Sequence, residues 1–250
     1  MDVVGDLLAR DRRSRDIALV TVDGRERTYR DLITNAYKAA NVLRYLGARE
    51  GSVVAVDPAP ELHTVLAFLG AARLGAPVRF DPDAGVDAGD RVVLVSVDDE
   101  PTIEPAPGTN LVAFGGPPER PETTHWEQEL WSENPATPPS EVAPEDAVIC
   151  ARRRGSSDRA PSDRDVSHRA ILDAAAAVAD RYDMTAASRV TFGGGLSNTR
   201  AVAAGLVAPL SVGATVALAE GSTLTVEVTE HADGTGATPR SVALDSVALR

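Results

Sequence analysis

Residues 28–83 read TYRDLITNAYKAANVLRYLGAREGSVVAVDPAPELHTVLAFLGAARLGAPVRFDPD, and they decide the fold class. Thr28-Tyr29-Arg30-Asp31 has the form in which a hydroxyl and a carboxylate three residues apart cap a helix start. Leu32, Ala36, Ala39, Ala40, Leu43 and Leu46 recur at helical spacing. That spacing predicts an amphipathic helix over 31–46, stopped by Gly47. Ser52 to Val56 is a continuous apolar run bounded by Gly51 and Pro58, the pattern of a buried parallel strand. Residues 61–74 predict a second helix, ended by Gly75. Pro77 to Phe80 predicts a strand that stops at the turn Asp81-Pro82-Asp83. Strand, helix and strand in that order give a right-handed βαβ unit.

Upstream, residues 17–22 (IALVTV) predict a short strand, and Asp23-Gly24 is a hairpin turn signal. Downstream, Arg91 to Val97 and Leu111 to Phe114 predict further strands. Residues 117–145 are rich in Pro, Glu and Ser, with Trp126 and Trp131 embedded. This stretch reads as a surface linker with one short helix near 124–130. Past it come a strand at Ala147 to Ala151, a polar loop, and an alanine-rich helix over 168–182. A strand at Ser188 to Phe192 leads into Gly193-Gly194-Gly195, which lacks the spacing of a phosphate loop and reads as a turn. A helix over 199–212 with a late Pro209, a strand at Ala214 to Ala219 and a terminal β-hairpin complete the chain. The expected architecture is α/β, with mainly parallel sheets flanked by helices in two subdomains. Residues 1–116 and 146–250 form the subdomains, joined by the linker 117–145.

Composition narrows the function. The net charge is -12, which argues against nucleic acid as a general partner. The charge is uneven: +2 over residues 1–56, -14 over 57–150, +2 over 151–220 and -2 over 221–250. Lys38 is the only lysine among 25 basic residues. An acidic excess with almost no lysine resembles the composition of proteins from salt-loving archaea, where acidic surfaces keep chains solvated. A GC-rich genome, which favours arginine, is the alternative. No apolar run approaches the roughly 18 residues of a membrane span. The start, MDVVGDLLARDRRSRD, has charges where a secretory signal needs its apolar centre. A cytoplasmic location is the expectation. Cys150 has no second cysteine to pair with and sits in an apolar run, so a buried, inert thiol is expected. His63, His125, His168 and His231 stand apart from one another and predict no metal site.

The stretch with most chemical interest is Asp146 to Leu172, DAVICARRRGSSDRAPSDRDVSHRAIL. It places a long polar loop between a buried strand and a helix opening near Ser167-His168. At such a place backbone N–H groups and the helix dipole favour an anion. Arg152, Arg153 and Arg154, followed by Gly155, Ser156 and Ser157, are the candidate anion-binding residues. A solvated basic loop is the alternative. Ser156, Ser157 and Ser162 lack the elbow of a serine hydrolase.

The run 28–83 and residues 146–218, including GLVAPLSVGATVAL, together resemble the N-terminal part of the AMP-forming acyl-CoA synthetases, adenylation domains and luciferases. The first run follows that family's T-Y-x-E-L, L-G-x-x-x-G-D-x-V-A and A-x-x-x-G-A-x-x-x-x-x-D-P pattern almost throughout. The likeness spans roughly residues 15 to 220. It implies ATP, AMP or CoA as ligands and a carboxylic acid as substrate.

The family's phosphate loop reads T-S-G-T-T-G-x-P-K-G. Glycines there wrap the phosphates, hydroxyls bond them and the lysine adds charge. With Pro161 and Ser167-His168 aligned to the family, the lysine position falls on Ser162 and the following glycine on Asp163. The earlier glycine falls on Arg159, the threonines on Ser157 and Asp158, and the first glycine on Ser156. A frame shifted by one restores Gly155 and loses the proline. In either frame the lysine is absent, and Asp158 and Asp163 bring charge that opposes ATP.

The proline and aromatic positions that line the family's acyl pocket fall on Gly195 and Asn198. The sequence stops before the family's adenine motif, ribose-binding aspartate and C-terminal lysine. The resemblance therefore implies a truncated, degenerate relative with no catalytic residue of its own and a binding or regulatory role. A surface left bare by the absent half would favour a protein partner or self-association. A split synthetase half with Arg152 to Arg154 in place of the lysine, and a nucleotide or CoA binder without chemistry, are the alternatives.

Overall fold

The computed structural model describes residues 1–82, 85–86, 89–150, 165–221, 224–227 and 239–249. The chain begins with short 3₁₀ turns that bury Val4, Leu7 and Leu8, a packed segment that the sequence pattern did not reveal. β1 (Ile17–Val20) and β2 (Glu26–Thr28) pair as an antiparallel hairpin. Gly24 turns it at φ +79°. α1 (Tyr29–Tyr45) starts with the expected reciprocal cap. Asp31 N donates to Thr28 Oγ1 at 3.1 Å, and Thr28 N donates to Asp31 Oδ2 at 3.2 Å. β3 (Val53–Val56), α2 (Leu62–Leu74) and β4 (Val78–Arg79) form the expected βαβ unit, with β3 and β4 parallel.

β5 (Asp90–Ser96), β6 (Asn110–Phe114) and β7 (Thr124–His125) follow, and α3 (Trp126–Ser132) leads out of β7. Next come β8 (Ala147–Ile149), β9 (Val166–Ser167) and α4 (His168–Arg181). β10 (Arg189–Phe192) leads to a helical run made of α5 (Thr199–Val202), a π turn (Ala203–Val207) and α6 (Ala208–Val212). β11 (Thr215–Leu218), β12 (Leu224–Glu227) and β13 (Arg240–Ser241) end the chain.

Two compact units result. The first comprises Met1–Ile33, Ala59–Leu62 and Arg169–Arg250. It holds a six-stranded sheet in the order β13-β12-β10-β11-β1-β2. Its centre, β10-β11-β1, is parallel, and its outer pairs are antiparallel. The second comprises Thr34–Pro58 and His63–His168. Its seven-stranded sheet runs β7-β6-β5-β3-β4-β8-β9 and is parallel except for β8–β9. The mainly parallel, helix-flanked α/β architecture is therefore present.

The division along the chain differs from the expected one at residues 116 and 146. β1 and β2 pair within the sheet of the C-terminal strands, while β8 and β9 belong to the other sheet. The proline-rich 117–145 stretch lies within the second unit, where it supplies β7 and α3 and buries Trp126 completely. Parallel strands are joined by crossovers, so neighbours in a sheet need not be neighbours in sequence. A linker-like composition reports exposure, not sheet membership. In the tail, β12 and β13 pair antiparallel, Thr225 with Ser241 and Val226 with Arg240.

Two close approaches explain glycines. A Cβ on Gly70 would lie 2.8 Å from Ala40 N and 3.1 Å from Ala39 C, so α2 packs directly on the backbone of α1. A Cβ on Gly205 would lie 2.5 Å from the Phe192 ring and 2.8 Å from Leu224 Cδ1. Gly205 also sits in the π turn, four residues before Pro209. Proline has no N–H to return to that carbonyl, which breaks the predicted continuous helix into its three parts.

Candidate functional site

The residues on either side of 151–164 are held within the second unit. β8 runs parallel to β4, with Val78 opposite Ile149, and Cys150 N donates to Val78 O at 2.9 Å. β9 returns antiparallel to β8, pairing Ala147 with Ser167 and Ile149 with Val166. His168 N then donates to Asp146 O at 3.0 Å as α4 begins. A strand before residues 151–164 and a short strand and helix start after them are thus in place. The two-residue β9 was not expected; its one signal was the isolated β-branched Val166 in an otherwise polar stretch.

Arg152, Arg153, Arg154, Gly155, Ser156 and Ser157 lie outside the described residues, as do Asp158, Ser162 and Asp163. Asn198 is described and exposed. It is the N-cap of α5, its Oδ1 accepting from Arg200 N at 3.1 Å and Ala201 N at 3.3 Å. Gly193 to Gly195 form an irregular link between β10 and α5.

The sequence pattern missed a buried ionic cluster beside the loop's first strand. Arg79, on β4, is 2% exposed, and Asp90, opening β5, is 3% exposed. Arg79 NH2 donates to Asp90 Oδ2 at 2.6 Å and to Gly85 O at 3.2 Å. Its NH1 donates to both the carbonyl and the carboxylate of Asp81. Burial works against the guanidinium's charge, but the hydrogen bond and charge of Asp90, backed by Asp81, outweigh it and raise its pKa. Arg79 is therefore spent on carboxylates. Cys150 adjoins the cluster. Burial first, then the Asp165 carboxylate, pushes its thiol up to about 12. A thiol so placed stays protonated and a poor nucleophile at neutral pH.

Two further carboxylates act as clasps in the same unit. Glu100 is fully buried and accepts from Glu119 N at 2.7 Å and Arg120 N at 3.1 Å. Burial opposes its charge, yet the Thr123 hydroxyl, those two amides and Arg120 together hold its pKa below the usual value. Glu127 accepts from Gly115 N at 2.7 Å and faces His63 Nε2 at 3.5 Å and His125 Nε2 at 3.4 Å. Two histidines far apart in sequence thus share one carboxylate. Even so, no group of three or more His, Cys, Asp or Glu among the described residues is arranged to hold a metal ion.

In the first unit, a cleft of about 250 Å³ is lined by Arg12, Ser14, Asp16, Tyr29, Ser211 and Gly213, among others. Its polar groups are largely engaged. Arg12 NH2 donates to Leu210 O at 2.5 Å and to Ser211 O at 3.1 Å, and Tyr29 Oη donates to Ala214 O at 2.7 Å. A guanidinium on the last carbonyls of a helix is the arrangement that the helix dipole favours. Among the described residues no helix is long and apolar enough to cross a membrane.

The mainly parallel sheets with flanking helices place the molecule among the α/β proteins. Residues 9–150 match the profile of the AMP-binding enzyme family, and the chain belongs to that family. A search of curated proteins gives no match. Among solved structures, the chain is similar to the anthranilate CoA ligase AuaEII in complex with anthranoyl-AMP, at 22% identity and a TM-score of 0.74. That match covers 88% of this chain and 45% of the ligase. It is also similar to apo MatB from Rhodopseudomonas palustris, at 16% identity and a TM-score of 0.70, covering 86% of this chain and 44% of MatB. A nonribosomal peptide synthetase bound to alpha-methyl-L-serine-AMP is similar over 86% of this chain and 23% of its own, at 22% identity and a TM-score of 0.68. The fold is that of the N-terminal domain of adenylate-forming enzymes, and the chain spans about 45% of the length of AuaEII and of MatB.

Proposed function

We propose that this chain keeps the scaffold of the AMP-binding family without a working phosphate loop, does not adenylate a carboxylate alone, and serves a binding or regulatory role. The observation that carries the reading is a contrast at one place. The frame around the loop is intact, from the Val78–Ile149 pairing to the His168 helix start, whereas the loop sequence between them has no lysine and carries Asp158 and Asp163. Nucleotide phosphates need donors and positive charge at such a loop. Arg79, the buried cation on the neighbouring strand, is already paired with Asp81 and Asp90. The similar structures hold an acyl-AMP or aminoacyl-AMP, so ATP, AMP and CoA are the ligands to try.

ATP–pyrophosphate exchange with a panel of carboxylic acids, in high and low salt, tests the proposal. The expected result is no exchange above background, and robust turnover by the chain alone would refute it. The run Arg152-Arg153-Arg154, three cations in a stretch without the family's lysine, favours a second reading, in which a partner completes the enzyme and these arginines hold the triphosphate. If so, ATP raises the thermal midpoint of the chain, and replacing those three arginines abolishes the shift. A ligand at 100 times its Kd adds about 2.7 kcal/mol, enough to be seen.

A further inference from the structure

We infer that the cleft of the first unit is a binding site for a short zwitterion, a small molecule with a carboxylate for Arg12 and an ammonium group for Asp16. Its volume is about 250 Å³, that of about eight waters, which suits a short-chain amino acid and is too small for a nucleotide. Every lining residue belongs to the first unit, and Arg12 and Asp16 are the only charged ones. The neutral polar groups are committed. Ser14 Oγ accepts from Asp16 N at 3.2 Å, Tyr29 Oη donates to Ala214 O, and Ser211 Oγ donates to Ala208 O at 2.7 Å. The two charged groups are not. Arg12 spends NH2 on Leu210 O and Ser211 O, while its Nε is enclosed without an acceptor and its NH1 has none among the described residues. Among those residues the Asp16 carboxylate has neither a hydrogen-bond donor nor an ion-pair partner. No ion pair joins Arg12 to Asp16, so their charged atoms stand more than 4.0 Å apart.

Opposite charges left apart in one cleft select a ligand that carries both. A simple anion satisfies Arg12 and sets a like charge near Asp16, and a simple cation does the reverse. Both groups lie close to the same buried phenol. After burial, which raises the Tyr29 pKa, Arg12 lowers it and Asp16 raises it. Asp16 immediately precedes β1, Gly213 stands two residues before β11, and Ala186 stands three before β10. The cleft therefore lies at the amino ends of the parallel strands β1, β11 and β10. Open α/β sheets bind their substrates outside the carboxyl ends, so this ligand is an effector and not a substrate. Held by Arg12 and Asp16, it links the Arg10–Arg12 turn to the start of β1 beside the end of α6. The inference does not depend on whether residues 151–164, in the other unit, bind nucleotide, and either reading can fail without the other.

Chemical-shift titration of the full nitrogen-15-labelled chain at low salt tests this, with glycine, β-alanine and γ-aminobutyrate as probes and acetate and ethylammonium as single-charge controls. At least one zwitterion should give saturable shifts at the amides around Arg12, Asp16 and Gly213. Both controls should bind at least about tenfold more weakly, the scale of one charge-assisted hydrogen bond. Asp16→Asn, at an exposed position, should weaken the zwitterion by a similar factor with the thermal midpoint of the free chain unchanged. Arg12→Lys keeps the charge but loses the fork that can hold two carbonyls and a carboxylate together, so it should weaken binding as well. If that variant is less stable, Asp16→Asn decides the question alone. Three zwitterions that leave the cleft amides unmoved, a single-charge control that binds as tightly as they do, or an Asp16→Asn chain that binds like the wild type each overturns the inference.

Discussion

The two units hold their sheets by different means. In the second, the ends of strands and loops are tied by charged groups. Arg79 bridges Asp90 and Asp81, Glu100 gathers the amides of Glu119 and Arg120, and Lys38 caps the end of α3. In the first, most of the corresponding ties are neutral. Tyr29 Oη reaches Ala214 O, Thr215 Oγ1 reaches Ile17 O at 2.8 Å, and Ser188 Oγ accepts from Thr185 N at 3.0 Å. Charged ties occur there too, from Arg12 to the end of α6, from Arg240 to Tyr182 O and at the Asp31 cap of α1, but on side chains more exposed than Arg79, Asp90 or Glu100. The unit with the charged ties contains all but residues 59–62 of the segment 57–150, whose net charge is -14. Part of that acidity is therefore structural, and it makes the second unit the more sensitive to pH and to single charge deletions.

The strongest attempt to break this contrast is to delete one side of the buried pair. Asp90→Ala leaves the Arg79 guanidinium buried with only the partly exposed Asp81 as counter-charge. Breaking such a pair costs about 3–5 kcal/mol, which should appear as a large drop in the urea midpoint. Replacing both partners by apolar residues, as in Arg79→Met with Asp90→Leu, should recover much of the loss. If Asp90→Ala costs less than about 1 kcal/mol, the scale of an exposed ion pair, the cluster contributes nothing special.

A smaller effect comes from Glu100, and it carries a sign in pH. Its pKa in the folded chain lies below its ordinary value. Its contribution is therefore present above the unfolded value of about 4.3 and is lost as pH falls below that towards the folded value. Glu100→Gln keeps the shape and removes the charge that draws the two amides. The variant should be less stable by about 1–3 kcal/mol at neutral pH. Denaturation midpoints followed from pH 7 down to pH 3 should show the gap between the two proteins closing with acid. A gap that stays constant would mean that Glu100 acts by packing alone.

The sequence pattern exposed the βαβ unit and most helices and strands because apolar spacing, caps and glycine stops agree over residues 28–83. Sheet membership was hidden. Ile17 to Val20 looks like any short strand, and nothing local says that it pairs with Thr215 to Leu218, almost 200 residues away. The π turn was also hidden, since Pro209 signals a fault in the helix without giving its form. For the candidate site, the position of the loop was legible from strand and helix signals. The Arg79–Asp90 pair and the Glu127 clasp were not. Their partners are brought together by parallel register or by loop closure, which leaves no spacing rule to find. Asn198 shows the reverse limit. A family position suggested a pocket residue, while the local rule for a polar side chain before a helix accounts for its observed hydrogen bonds.

The smallest expected effect sharpens the contrast from the other side. Tyr29 is 4% exposed, and burial, its largest influence, raises its pKa. The phenol therefore remains a neutral donor to Ala214 O throughout the ordinary pH range. Tyr29→Phe removes one oxygen, leaves the ring packed, and strands one carbonyl beside a small cleft that water can enter. The net worth of a neutral hydrogen bond is about 1 kcal/mol, and the loss should be the same at pH 4 and pH 8. Stability measured at those two values separates the kinds of tie: a flat response for Tyr29→Phe and a sloping one for Glu100→Gln. If Tyr29→Phe instead loses more than Asp90→Ala, the first unit depends on one neutral bond more than the second does on its buried charges. The division between charged and neutral ties would then have no energetic meaning.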